Sequence, residues 1–302
     1  MNRRVFLATA ALPLTAKPSL KIREMPGRIA VTIDGRTVTN FHFDEKWDKP
    51  FLFPLTTPSG LVVSRGWPVE PRPGETADHE WRRGVFYGHG IVNGQDFWRE
   101  QGREKTSRFI LQGKPRRSKN GFGGRFVMQP PKGAALGHID QDFTLEIAGP
   151  AFRLGATIRI HADGGTALTF GDTDDGGFAF RLSDHFRQVR GAVLRNSEGA
   201  EKTEKIWGKN ARWVHYAASV DGKAAGAVMF DHPSNVRYPA GWHARGYSLN
   251  SANPFATRSF TKDKTKDGSY VLKAGDTLTL RYTVLLHDGA MTPEQIEKAA
   301  PR

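Results

Sequence analysis

The chain has 302 residues and no cysteine, which excludes disulfides, thiol catalysis and thiolate-held metal clusters. Its formal net charge is +13, but the basic residues are scattered rather than striped, which argues against nucleic acid and leaves a cationic surface that attracts acidic partners weakly. With 38% hydrophobic and 11% aromatic residues it can build a core, and 33 glycines with 18 prolines imply many turns and few helices.

The first residues read MNRRVFLATAALPLTAKPS. Arg3 and Arg4 precede an apolar run from Val5 to Ala16 that is too short to span a bilayer. Residues 1–16 are therefore expected to be an export signal. The order Arg3, Arg4, Phe6, Leu7 resembles the twin-arginine type, and the general secretory type is the alternative. Residues 17–302 are expected to form one exported β domain, periplasmic or extracellular. No later segment is a membrane-span candidate, and oligomeric state is not legible.

From Lys21 onward the pattern is strand, turn, strand. Ile29, Val31 and Ile33 alternate with smaller or polar positions, Asp34-Gly35 makes a hairpin turn, and Thr37, Thr39 and Phe41 resume the alternation. Phe51–Leu55 and Leu61–Val63 flank Pro58-Ser59-Gly60. The next predicted strand is Arg83–His89, which would set Arg83, Val85, Tyr87 and His89 on one face. The basic run Lys114–Lys119 and the run Asn120–Gly124 read as loops.

Strands are predicted at Phe143–Ile147, Phe152–His161, Thr166–Phe170, Phe178–Leu182, Arg212–Ala218, Ala224–Phe230, Ser269–Leu272 and Thr277–His287. The clearest helix is Thr292–Ala300, with Thr292 as cap, Pro293 in the first turn and Gln295 completing a capping box. These elements add up to an all-β chain, a large antiparallel sandwich or super-sandwich.

Two stretches concentrate chemistry. Gly74–Trp98 holds Asp78, His79, Arg83, His89, Asn93, Asp96 and Trp98. Phe230–Arg245 holds Asp231, His232, Asn235, Trp242, His243 and Arg245. Charged and imidazole groups are costly to bury unpaired, so such clusters mark a solvated surface or a polar site. His79, His89, His232 and His243 are the candidate acid–base residues, since imidazole moves protons near neutral pH. Arg83 would stabilise developing negative charge. Asp78, Asn93, Asp96, Trp98, Arg181, Asn235, Trp242 and Arg245 are candidate substrate-binding residues, the tryptophans by stacking on a sugar face.

The acidic run Gly171–Gly177 lacks the ligand spacing of a calcium loop and reads as a tight turn. HExxH, GxSxG, P-loop and dinucleotide fingerprints are all absent, so no motif implies a cofactor. A divalent metal would require several of the histidines to meet in space, and its identity is not legible.

KPFLFPLTTPSG from Lys49, RGWPVEP from Arg65, DHEWRRGVFYGHGIVNGQDFW, GDTDDGGFAFRL and the stretch NARWVHYAASVDGKAAGAVMFDHPSNVRYPAGWHAR resemble a bacterial PmoA-like family of unknown function. So do NPFATRSF and the closing AGDTLTLRYTVLLHDG. The resemblance implies a galactose-mutarotase-like sandwich in a carbohydrate context. The methane-oxygenase label its members carry implies, as an alternative, a metal-dependent oxygenase. The family's DHPHHRG pattern is matched by Asp78, His79, Arg83 and Gly84. Glu80, Trp81 and Arg82 depart from it and remove two histidines, which puts a metal site built on those two in doubt. The expected function is acid–base chemistry on a glycoside or modified sugar: hydrolysis, elimination or epimerisation. A non-catalytic carbohydrate-binding module is the alternative.

Overall fold

The computed structural model describes residues 18–301, so the leader expected at 1–16 lies outside the described residues. Their strands, in chain order, are β1 (Leu20–Met25), β2 (Arg28–Ile33), β3 (Arg36–His42), β4 (Phe51–Leu52), β5 (Val85–His89), β6 (Arg108–Arg117), β7 (Gly121–Gln129), β8 (His138–Ala148) and β9 (Ala151–His161). The series continues with β10 (Leu168–Phe170), β11 (Gly176–Arg181), β12 (Val193–Asn196), β13 (Trp213–Val220), β14 (Lys223–Asp231), β15 (Gly241–Trp242), β16 (Leu249–Asn253), β17 (Tyr270–Leu272) and β18 (Thr277–Asp288).

Two antiparallel eight-stranded sheets face each other. The first has the order β1-β2-β3-β4-β5-β11-β16-β15, the second β12-β13-β14-β18-β9-β8-β7-β6, and β10 with β17 makes a small ribbon. The expected sandwich is thus the observed one. Aromatic side chains of both inner faces bind the layers. Phe178 of the first sheet stacks on Tyr282 of the second at 4.7 Å, and Phe41 packs on Phe122, Phe126 and Phe143. Each fully buried ring of this kind stabilises the fold by about 1.5–3 kcal/mol.

Helices are short: α1 (Thr203–Ile206), α2 (Thr257–Thr261) and α3 (Pro293–Ala299). The last has the anticipated Thr292–Gln295 capping box. It covers a satellite cluster on the outer face of the second sheet, formed by Trp213, Val228, Phe230, Leu285 and its own Ile296.

Two expectations are corrected. Lys114–Arg117 and Gly121–Gly124 belong to strands β6 and β7, not to loops. Their side-chain pattern hides this. β6 is an edge strand, where charge guards against edge pairing. Gly123 is needed in β7 because a Cβ there would fall 2.3 Å from the Gln141 carbonyl oxygen. Second, the strand predicted from Arg83 begins at Val85. Gly84 lies in the left-handed region (φ 44°), and a Cβ on it would fall 1.9 Å from the Leu52 carbonyl oxygen. That kink separates Arg83 from the alternation of β5. Val85 and Tyr87 point into the core between the sheets, while Arg83 lies over the rings of Trp47 and Phe51 on the outer side.

Candidate active site on the outer face of the first sheet

The outer face of the first sheet is not bare. Phe51, Phe53, Phe86, Trp98, Ala179 and Leu249 form a second apolar layer there, flanked by Trp47, Trp81 and Tyr247. Alternation along β11 puts Arg181 on the same side as Ala179. Its guanidinium is fully buried, as is that of Arg65. Both converge on one carboxylate. Arg65 Nη1 makes a very short contact with Asp78 Oδ1, and Arg181 Nη2 reaches the same oxygen at 2.9 Å. Arg65 also donates to the carbonyls of His79 (3.1 Å) and Arg82 (3.3 Å), tying down the loop that carries the site. Burial raises the Asp78 pKa, but Arg181 and Arg65 outweigh it and hold the carboxyl below its usual range.

His79 follows with φ 44°, an unusual backbone for a residue other than glycine. Its Nδ1 lies 3.2 Å from Asp78 Oδ2, close but too poorly aligned for a full hydrogen bond. The ring lies parallel to Tyr247 (6.0 Å, 3°) and edge-on to Trp81 (5.3 Å, 79°), with over a third of the side chain exposed. Burial, then the Arg82 charge, lower its pKa, so the imidazole is neutral at pH 7. Arg82 Nη1 donates to the Tyr247 hydroxyl at 2.8 Å, and Nη2 reaches Asp175 at 3.2 Å. The other Asp175 oxygen takes Arg99, which is also held by Asp96 at 3.1 Å.

His243 completes the face. Trp242 points into the core, with its indole N–H on the Ala211 carbonyl (2.7 Å), so the next residue points outward. His243 Nδ1 donates to the Asp174 carbonyl at 2.7 Å, and Nε2 accepts from Arg245 Nε at 2.9 Å. Burial pulls its pKa to about 4. Both ring nitrogens are engaged, so His243 positions Arg245, whose guanidinium covers Trp207 at 5.0 Å.

The structure therefore brings together Asp78, His79, Arg181, His243 and Arg245, with Asp96 at the margin. The remaining candidates are elsewhere. His89 is buried between the sheets against Phe170 and Phe255, with Nε2 on the Gly171 carbonyl (2.8 Å) and burial lowering its pKa to about 4. Arg83 is locked in a buried ion pair with Glu100, shared with Lys49 at 2.8 Å. Burial raises the Glu100 pKa, yet Lys49 and Arg83 bring it down to about 2. Trp98 and Trp242 are fully buried and have no face for a sugar. Asn93 closes a hairpin on Ala167 and Thr169. Asn235 is held between Asp231 and the backbone of Arg281, and His232 stands beside Arg281 on the outer face of the second sheet. The four histidines do not share one hollow, because the core separates His79 and His243 from His232.

Sequence reasoning missed Arg65, Arg82, Tyr247 and Trp81 as site residues. Arg82 and Trp81 stood out only as departures from the family pattern. The acidic run 171–177, expected to be a tight turn, is an irregular segment with a bend at 174–175, and Gly176 and Gly177 already belong to β11. Within it Asp172 accepts backbone N–H groups of Arg258 (2.7 Å), Ser259 (2.8 Å) and Gly268 (2.6 Å). A cavity of about 550 Å³, lined in part by Arg72, Glu75, Asp184, His185 and Arg190, lies at the sandwich end. It reaches the site only indirectly, through Asp184–Thr76 hydrogen bonds, and its lining holds no Phe, Tyr or Trp. Among the described residues no three or more His, Asp or Glu side chains stand in metal-holding geometry, and no helix is long and apolar enough to cross a membrane.

The chain belongs to a family of unknown function, DUF6807, whose model matches residues 28–301; the family description names no activity. No curated protein matches. Among solved structures it is similar to a galactose mutarotase-like protein from Clostridium acetobutylicum at 9% identity and TM-score 0.38, covering 90% of this chain and 99% of that one. A galactose mutarotase-like protein from Lactobacillus casei matches at 9% identity and TM-score 0.36, covering 89% and 100%. A polysaccharide lyase matches at 12% identity and TM-score 0.36, covering 93% of this chain and 34% of that chain.

Proposed function

We propose that this DUF6807 chain binds a glycoside or modified sugar over the His79–Tyr247 patch and performs acid–base chemistry on it, with His79 as the base. One observation carries the reading: a neutral, open imidazole is backed by a carboxylate that two fully buried guanidiniums hold in place. Nδ1 faces Asp78, which favours the proton there and leaves the Nε2 lone pair for a substrate proton. Trp81 and Tyr247 supply flat surfaces of the kind sugar rings stack on. Arg82, fixed on the Tyr247 hydroxyl, is placed to favour negative charge developing on a sugar oxygen. Hydrolysis, elimination and epimerisation all draw on this set. Binding without turnover is the second reading, favoured by the engagement of both His243 nitrogens, which leaves one open imidazole on the face.

The test is a His79→Gln variant against a panel of glycosides and sugar acids. The enzyme reading expects turnover to fall by about 10²–10⁴-fold with binding nearly unchanged. Binding by wild type with no turnover favours the module; no binding of any sugar sinks both. Copper or iron at one equivalent in protein purified from the periplasm would instead favour an oxygenase. We also propose that the chain acts after export, on the strength of its RRxFL leader. Finding the uncleaved chain in the cytoplasmic fraction would overturn that.

A further inference from the structure

The proposed sugar site leaves unused a pocket of about 360 Å³ on the opposite, outer face of the second sheet, across β8, β9 and β18. Its floor is Gly155, where a Cβ would fall 2.6 Å from Thr144 Oγ1, so a larger residue would crowd the pocket. The loop after β14 overhangs it. Asn235 holds that loop to the strand by accepting the Arg281 backbone N–H at 2.7 Å. The Arg281 guanidinium reaches Ser234 Oγ at 3.2 Å and, among the described residues, has no carboxylate within ion-pair distance. The one acid in the lining, Asp142, is already matched by Arg116 and Arg159, both at 2.8 Å.

His232 adds a donor. The Ser234 backbone N–H donates to its Nδ1 at 3.1 Å, so the proton of the neutral ring sits on Nε2. Thr144, Thr157 and Thr283 line the same space, and none of their hydroxyls has a side-chain hydrogen bond among the described residues. The pocket thus presents one uncompensated cation, one imidazole N–H and three free hydroxyls. Its volume suits a small organic ligand and far exceeds an inorganic oxyanion.

We infer that this pocket is a second binding site for a singly charged sugar acid, with its carboxylate on Arg281 and His232 and its hydroxyls on the three threonines. One free guanidinium matches one carboxylate in charge and geometry. Hydroxyls that both donate and accept match a polyol.

The test is titration with D-glucuronate and D-glucose at low salt, followed by calorimetry or by NMR shifts of the threonine methyls. Glucuronate is expected to bind at least about tenfold tighter than glucose, because a hydrogen bond to a charged group outweighs a neutral one. Arg281→Gln should bring glucuronate down to the glucose level. Gly155→Val should weaken it while leaving the charge in place. Arg281 is exposed, so its loss should leave the fold intact; if Gly155→Val does not fold, Thr157→Val replaces it. Equal affinity for the two sugars, indifference to either pocket variant, no binding, or full competition by equimolar sulfate (an adventitious ion only) would each overturn the inference.

Discussion

Asp78–His79 and Asp231–His232 are the same dipeptide in two different settings. Asp78 meets two buried guanidiniums and is held below the ordinary carboxylate range, with burial working against them. Asp231 is buried and meets no cation. It accepts from the backbone N–H of His232 (3.0 Å), that of Ala240 (2.8 Å) and the Asn235 amide (2.6 Å). Burial still dominates and pushes its pKa up to about 6. The imidazoles diverge as well. His79 leans toward its own acid and keeps a free edge, while His232 turns to Ser234. An acid–imidazole pair in sequence therefore says little until its counter-charges are known. One aspartate anchors the face proposed above as the sugar site; the other locks a loop.

The largest effect should come from Asp78→Asn, which strands Arg65 and Arg181 as buried, uncompensated charges. Removing one partner of a buried pair costs about 3–5 kcal/mol, and the half-exposed position of Asp78 points to the lower end. The urea midpoint should drop with an unchanged slope. Because the folded pKa of Asp78 is depressed, its contribution is present above the unfolded value of about 4 and is lost as pH falls. Wild type and variant should converge in strong acid. A constant gap at every pH would mean that the carboxylate is not what compensates the two arginines.

Asp231 should show the opposite sign. Its folded pKa is raised, so between about pH 4 and pH 6 the folded chain holds a proton that the unfolded chain has lost. Stability then falls with rising pH across that window, by up to about 3 kcal/mol for a shift of this size. Asp231→Asn cannot titrate and should remove that slope, whatever its cost at a single pH. Stability curves of the two proteins that run parallel from pH 4 to 7 would break the contrast between the pairs.

The sandwich was legible because it rests on local signals: alternation in β2, β3, β9 and β18, Asp-Gly turns, and a capped terminal helix. β6 and β7 were not: β6 is an edge strand that keeps its charges, and β7, though internal, opens on glycines that read as loop. The site was half legible. Asp78, His79, Arg181, His243 and Arg245 stand out by residue type, and their meeting is tertiary. Arg65 and Arg82 look like ordinary surface cations in sequence, and only the sheet reveals that they are buried. Counting alternation through Gly84 put Arg83 and His89 on one face. A single left-handed residue undid it, and its φ is invisible in composition because glycine permits every alternative.

The smallest effect on stability should come from His79→Asn, and it separates reactive from structural imidazoles most sharply. His79 occupies the left-handed region, which asparagine, like histidine, tolerates better than most side chains, so the exchange adds no backbone strain. What is lost is the ring contact with Tyr247 and Trp81, worth about 0.5–1.5 kcal/mol. The variant should therefore unfold within about 1.5 kcal/mol of wild type while losing its turnover on the true substrate. His232 stands on the other sheet, so His232→Asn should leave turnover intact. If His79→Asn costs more than about 2 kcal/mol, the ring is a packing element. The two Asp–His pairs would then differ in position only, not in task.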